Sequence, residues 1–300
     1  MLELDEDNYS QIKRMNSVTP SNTKLPFIAY GSFKPFELRF NIIKDYIENY
    51  NEIRINGIME EKDGVPIFEL SKEGYSGQEY VAFELNFKVG FEEVAYKTIC
   101  DYEPASYYEW GVLNNKNILV GNKKMKGKNH FFGNSWTFKN DPYFEFGLKA
   151  CQTIYDIDSI NKLNEGEFFP FFKSSAAYML LWTIIERFCT LKYGADISPA
   201  DKIKALASDI SIPWEDIINN INREDRIYRS DKVNEALNLD KTKGVKKLLG
   251  YYYGIRSNMV HRGKEVFSDT DKIKESFLEL IMIFKNILNS HGLSEFKSGI

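Results

Sequence analysis

The hydrophobic pattern of the chain changes character near residue 140, and that change constrains the fold more than any other feature. Before it, short apolar runs alternate with polar residues at a period of two, as half-buried strands do. After it, apolar residues recur at helical spacing. A chain of 300 residues already exceeds the usual size of one domain. Two domains of different class are therefore expected, an α+β chain with a sheet-containing part first and a helical part after it. Residues 1–23 are polar and punctuated by Ser, Asn and Pro, so they read as a tail. The first domain is expected over 24–140, a connector over 141–164 and the helical domain over 165–300.

Within the first domain the pattern predicts a strand at 25–30 and a tight turn at Gly31-Ser32. A helix at 36–50 follows, then strands at 52–59, 65–70 and 80–88, with the Asp63-Gly64 pair marking a hairpin. A helix at 90–100 and strands at 111–113 and 118–121 complete it. Beyond residue 140 only helices are expected. They are a connector helix at 142–154, a helix capped by Ser174 or Ser175 and stopped at Gly194, two short ones at 199–208 and 213–221, and longer ones at 241–262 and 272–289. The Phe168–Phe172 cluster is expected to be buried. The Arg-rich stretch 222–232 reads as polar and irregular.

Two places carry residues suited to chemistry. In the first, backbone N–H groups of Gly31 and Ser32, exposed between a strand and a helix start, could hold a carboxylate or a developing oxyanion. Glu103 lies in a run of aromatics, Asp101-Tyr102-Glu103-Pro104 followed by Tyr107 and Tyr108. On the Tyr30-Gly31-Ser32-Phe33 turn and the Ile99–Pro104 segment with those tyrosines, the first domain resembles the gamma-glutamylcyclotransferase-like fold. The resemblance implies a small mixed α/β barrel in which Tyr30, Gly31, Ser32 and Phe33 bind a small-molecule ligand. It also implies that Glu103 shuttles the proton as a gamma-glutamyl amine closes to 5-oxoproline. That role needs a carboxyl group whose pKa is lifted toward neutrality, which an apolar pocket achieves.

The second place is Arg256-Ser257-Asn258-Met259-Val260-His261, in a chain with only 3 His. Arginine offers a permanent forked charge for phosphate, and histidine exchanges protons near neutral pH. On a regular helix, positions five apart diverge by about 140°, so Arg256 and His261 would meet only through a distorted helix, a curled side chain or a second copy. The motif on the penultimate helix, with Glu186 on an earlier core helix, resembles the HEPN family of helical bundles. That resemblance implies a metal-independent endoribonuclease of toxin, defence or RNA-processing type, active as a homodimer through its C-terminal helices. His261 would act as acid and base, Arg256 would neutralise charge on the phosphate, Asn258 would position it, and Glu186 would orient the Arg or His. HEPN domains also serve as inactive dimerisation modules, and then the first domain would be the enzyme or the whole chain a sensor.

The remaining composition narrows the setting. A formal net charge of -4 removes wholesale attraction to nucleic acid, so RNA would be held by local patches such as the Lys123–Lys128 run. Cys100, Cys151 and Cys189 are far apart and lack CxxC spacing, which fits a reducing cytoplasm and argues against a structural zinc. No cofactor is expected. The opening residues have no apolar signal region, and the run from Ala176 to Ile185 is too short to cross a bilayer, so no membrane partner is expected either.

Overall fold

The computed structural model describes residues 19–62, 65–70, 78–103, 105, 107–121, 137–156, 168–194, 197–229, 234–262 and 270–293. They form a mixed α+β structure with two compact units. Of these described residues, one unit takes those from 19 to 141 together with those in 190–197, and the other takes those in 142–189 and 198–293.

The N-terminal unit is built on a six-stranded sheet of β1 (Phe27–Ala29), β2 (Ile47–Lys62), β3 (Val65–Leu70), β4 (Gln78–Phe87), β5 (Tyr108–Leu113) and β6 (Lys116–Gly121). The strand order is β3-β2-β4-β1-β6-β5, with β1 and β6 parallel and every other pair antiparallel. All three residues of β1 are buried, which explains why this strand is a continuous apolar run rather than an alternating one. Helix α2 (Glu92–Tyr102) buries Ala95, Tyr96, Ile99 and Cys100 on one stripe. Its Tyr96 meets Phe27, Phe87 and Trp110 edge to face. The Tyr96 hydroxyl donates to the Leu25 carbonyl at 2.6 Å and accepts from Asn117 at 2.9 Å, so this polar group in the core is satisfied. The sheet curls far enough for Gly121 on β6 to pack directly on Ile67 of β3, where a Cβ would overlap the isoleucine side chain.

The expected helix at 36–50 is corrected. The chain instead turns repeatedly, with Lys34 N–H bonded to Gly31 O at 3.1 Å, Glu37 N–H to Lys34 O at 3.0 Å and Arg39 N–H to Ser32 O at 2.9 Å. Phe36 takes the left-handed region with φ 70, which no regular helix tolerates. A single short helix, α1 (Phe40–Ile43), and one 3-10 turn follow, and then Ile47 onward is extended. Tyr50 sits opposite Leu85 and Glu52 opposite Phe83. Pairing with β4 decides the conformation of residues that by spacing alone suit a helix equally well.

The C-terminal unit holds α3 (Pro142–Asp156), most of α4 (Phe168–Tyr193), α5 (Pro199–Ala207), α6 (Trp214–Ile218), α7 (Val245–Arg262) and α8 (Thr270–Ser290). Phe144, Phe188 and Phe284 meet in its core. Helix α4 begins six residues before Ser174, which is buried inside it. Pro170 does not prevent this, because the first turn of a helix has no use for its N–H groups. Phe172 is 62% exposed, so the expected burial of the phenylalanine cluster does not extend to it. Gly194, with φ 118, ends the helix as expected.

The expectation of helices alone beyond residue 140 is also corrected. Strands β7 (Asp225–Tyr228) and β8 (Ala236–Leu239) form an antiparallel hairpin between α6 and α7. Arg223 anchors its base. The guanidinium binds Glu279 with two nitrogens at 2.9 and 3.2 Å, Asp225 at 2.7 Å and Ser276 at 2.9 Å. Tyr251 and Tyr252 donate to the same two carboxylates. Among the described residues no helix is long and apolar enough to cross a membrane.

The contact at Gly121 is a direct test of how the sheet closes. Gly121→Val should lower unfolding stability by about 1–3 kcal/mol, seen as a lower urea midpoint, because buried Ile67 has nowhere to retreat.

Two candidate functional sites

The residues singled out in the N-terminal unit come together around one cavity. Tyr30, Gly31, Ser32, Phe33 and Glu103 line it with Phe27, Ala29, Arg39, Pro66, Tyr108, Leu119 and Leu191. The centres of water-sized molecules can occupy about 30 Å³ of it, enough for about two waters. β1 delivers Tyr30, and the turn that follows delivers Gly31 to Phe33. The end of α2 delivers Glu103. Among the described residues, the N–H groups of Gly31, Ser32 and Phe33 find no acceptor, so three successive donors border the cavity. The expected contribution of a helix start is absent, since turns follow Ser32.

Glu103 is partly buried, with 11% of its side chain exposed. Burial raises its pKa above the ordinary carboxylate value. The charge of Arg39 and a hydrogen bond from it at 2.8 Å pull the other way without cancelling that rise. Tyr30 is pushed the same way by its own burial and then by the Glu103 charge, and its hydroxyl is buried without a well-formed hydrogen bond. The Tyr108 hydroxyl donates to the Pro66 carbonyl at 2.8 Å. Cys100 is a buried thiol outside any disulfide, pushed up to about 11 chiefly by burial, and so is no ready nucleophile.

Arg39 is the member of this site that sequence reasoning missed. It is 3% exposed and spends its donors on Glu103, on the Tyr102 carbonyl at 3.2 Å, and on the carbonyls of Thr190 at 3.1 Å and Lys192 at 3.3 Å. Its guanidinium also lies 5.8 Å from the Tyr102 ring centre. The available signal was an arginine between Leu38 and Phe40, a charge inside an apolar run.

In the C-terminal unit Arg256 lies on α7 and Glu186 on α4, and the two form an ion pair at 3.0 Å. Arg256 also lies 5.6 Å over the Tyr253 ring, and its Nε is buried without a hydrogen bond. Asn258 points elsewhere, donating to the Tyr228 carbonyl at 2.9 Å. His261 is on the last turn of α7, and its side chain lies outside the described part, as does the Lys123–Lys128 run. No described group of three or more His, Cys, Asp or Glu side chains is placed to hold a metal ion. Comparisons with protein-family models, with curated proteins and with solved structures returned no match.

Two consequences for the N-terminal site can be measured. Arg39→Met should cost about 3–5 kcal/mol at neutral pH, because it removes the cation paired with the Glu103 carboxylate and takes a donor from three carbonyls; Glu103→Gln in the same chain should recover part of that loss. In the wild type, the carboxyl group is protonated in both states below its ordinary pKa of 4.5. As the pH rises from there to the raised folded value, only the unfolded chain gives up the proton. The stability of wild type relative to Glu103→Gln should therefore fall across that window in urea titrations. A rise would mean that the Arg39 pairing outweighs burial.

Proposed function

We propose that the chain is a metal-independent endoribonuclease of HEPN type, joined to a gamma-glutamylcyclotransferase-like barrel that holds a small ligand. The observation that carries the ribonuclease reading is the Arg256–Glu186 ion pair. It joins the two residues, distant in sequence, that the resemblance assigns to one site.

In this reading His261 takes the proton from a ribose 2′-hydroxyl, whose oxygen attacks the adjoining phosphorus. The bond to the 5′ oxygen breaks, and that oxygen is protonated as it leaves. The products are a 2′,3′-cyclic phosphate and a 5′-hydroxyl. Arg256 neutralises the charge that builds on the phosphoryl oxygens. Because positions 256 and 261 diverge by about 140° around a helix, the working site is completed by a second copy, and the C-terminal helices form a homodimer. Asn258, bonded to the hairpin, serves as its anchor rather than as a phosphate ligand. A place in defence or toxin systems is part of the same proposal.

A second reading, turnover of a gamma-glutamyl amine to 5-oxoproline, is favoured by Glu103 with its raised pKa beside the N–H groups of Gly31 to Phe33, which find no acceptor among the described residues. It requires the cavity to open, since the present space admits only about two waters.

Cleavage of single-stranded RNA in the presence of a chelator separates these readings. Arg256→Ala and His261→Ala should each lose about 100-fold or more in rate. Equal cleavage by all three proteins would overturn the ribonuclease. Release of 5-oxoproline by wild type but not by Glu103→Gln would instead establish the second reading.

A further inference from the structure

We propose that the β7–β8 hairpin is a nucleobase platform, on which Tyr228, backed by the Arg226 guanidinium, stacks an unpaired base of single-stranded RNA beside the Arg256–His261 helix. The inference rests on the ribonuclease reading for its ligand, but on separate residues for its geometry.

The hairpin has two faces. Ile227 turns inward and is buried, while Arg226 and Tyr228 both face out, with Tyr228 52% exposed. The Arg226 guanidinium lies 5.4 Å from the centre of the Tyr228 ring, and no described carboxylate pairs with it. The neighbouring acids are occupied: Asp225, Glu275 and Glu279 by Arg223, and Glu235 by Arg229. Across the ladder, Tyr228 faces Ala236 and Arg226 faces Asn238, so no bulky side chain covers the ring from the partner strand. An aromatic ring with a free face and a guanidinium alongside is what a base and its phosphate recognise, whatever the base.

The platform is also fixed in place. The carbonyls of its two residues are the ones tied to the helices, Tyr228 to Asn258 of α7 at 2.9 Å and Arg226 to Lys272 of α8 at 3.0 Å. Gly254 lets the hairpin press onto α7, since a Cβ there would overlap Leu237. Positions 254, 258 and 261 follow one another at i, i+4 and i+7, along a single face of that helix. The hairpin therefore lies along the face that ends at position 261. An exposed tyrosine in a strand can reflect strand preference alone; the tethering of both carbonyls and a guanidinium that no described carboxylate pairs with are what that preference does not supply.

The test uses the full chain carrying His261→Ala, so that RNA survives, and a short fluorescein-labelled single-stranded RNA of mixed sequence. Adding Tyr228→Ala should weaken binding by about 5- to 150-fold, and Tyr228→Phe should restore it. Arg226→Ala should weaken binding and flatten its salt dependence. Unchanged affinity in Tyr228→Ala, or equal affinity for the same RNA as a duplex, would overturn the platform. If wild type cuts RNA while Tyr228→Ala both binds and cuts normally, the platform alone fails. If wild type binds in a Tyr228-dependent way but never cuts, the platform stands and the ribonuclease falls. Failure of wild type to bind RNA at all would overturn both.

Discussion

The Arg39 guanidinium is the interaction on which the N-terminal unit depends. It ties the turn after β1, the end of α2 and the last turn of α4 to one planar group, through Glu103 and the carbonyls of Tyr102, Thr190 and Lys192. A buried guanidinium is tolerable only when its fork is satisfied, and here a carboxylate and three carbonyls do that. The carboxylate gains as well, because the partner charge limits how far burial can raise its pKa. What results is an ionisable group held in an apolar cavity, with three backbone donors and an orphan tyrosine hydroxyl beside it.

Arg223 repeats the device in the C-terminal unit with a different result. Its fork is met by Glu279, Asp225 and Ser276, and the same acids accept from Tyr252 and Tyr251. The network secures the base of the hairpin against α7 and α8. Arg256 stands between these cases. It is paired with Glu186, while its Nε is buried with no hydrogen-bond partner among the described residues.

Much of the architecture was legible in the residues. The alternation in β4 and the stripe of Ala95, Tyr96, Ile99 and Cys100 on α2 register burial on one face, and Gly194 marks a helix end with positive φ, whereas Gly244, inside the helix expected over 241–262, instead precedes its start at Val245. Residues 36–50 were not legible, because Ile42, Ile43, Ile47 and Tyr50 satisfy helical spacing, yet only Ile42 and Ile43 stay in a short helix while Ile47 and Tyr50 become extended through pairing with β4. The hairpin was hidden for a related reason. Asp225-Arg226-Ile227-Tyr228 is a four-residue strand with one buried side chain, too short for its period to stand out.

The sequence by itself determined the sheet-to-helix switch, most of the strands and helices, and the residue types able to do chemistry, because local periodicity and side-chain chemistry need no partner to be read. Only the tertiary structure decided that Arg39 faces Glu103, that Glu186 meets Arg256, and that Asn258 is spent on a hairpin carbonyl. Each of those is a contact between residues distant in the chain. Its geometry depends on how strands pair and helices pack, which no local pattern encodes.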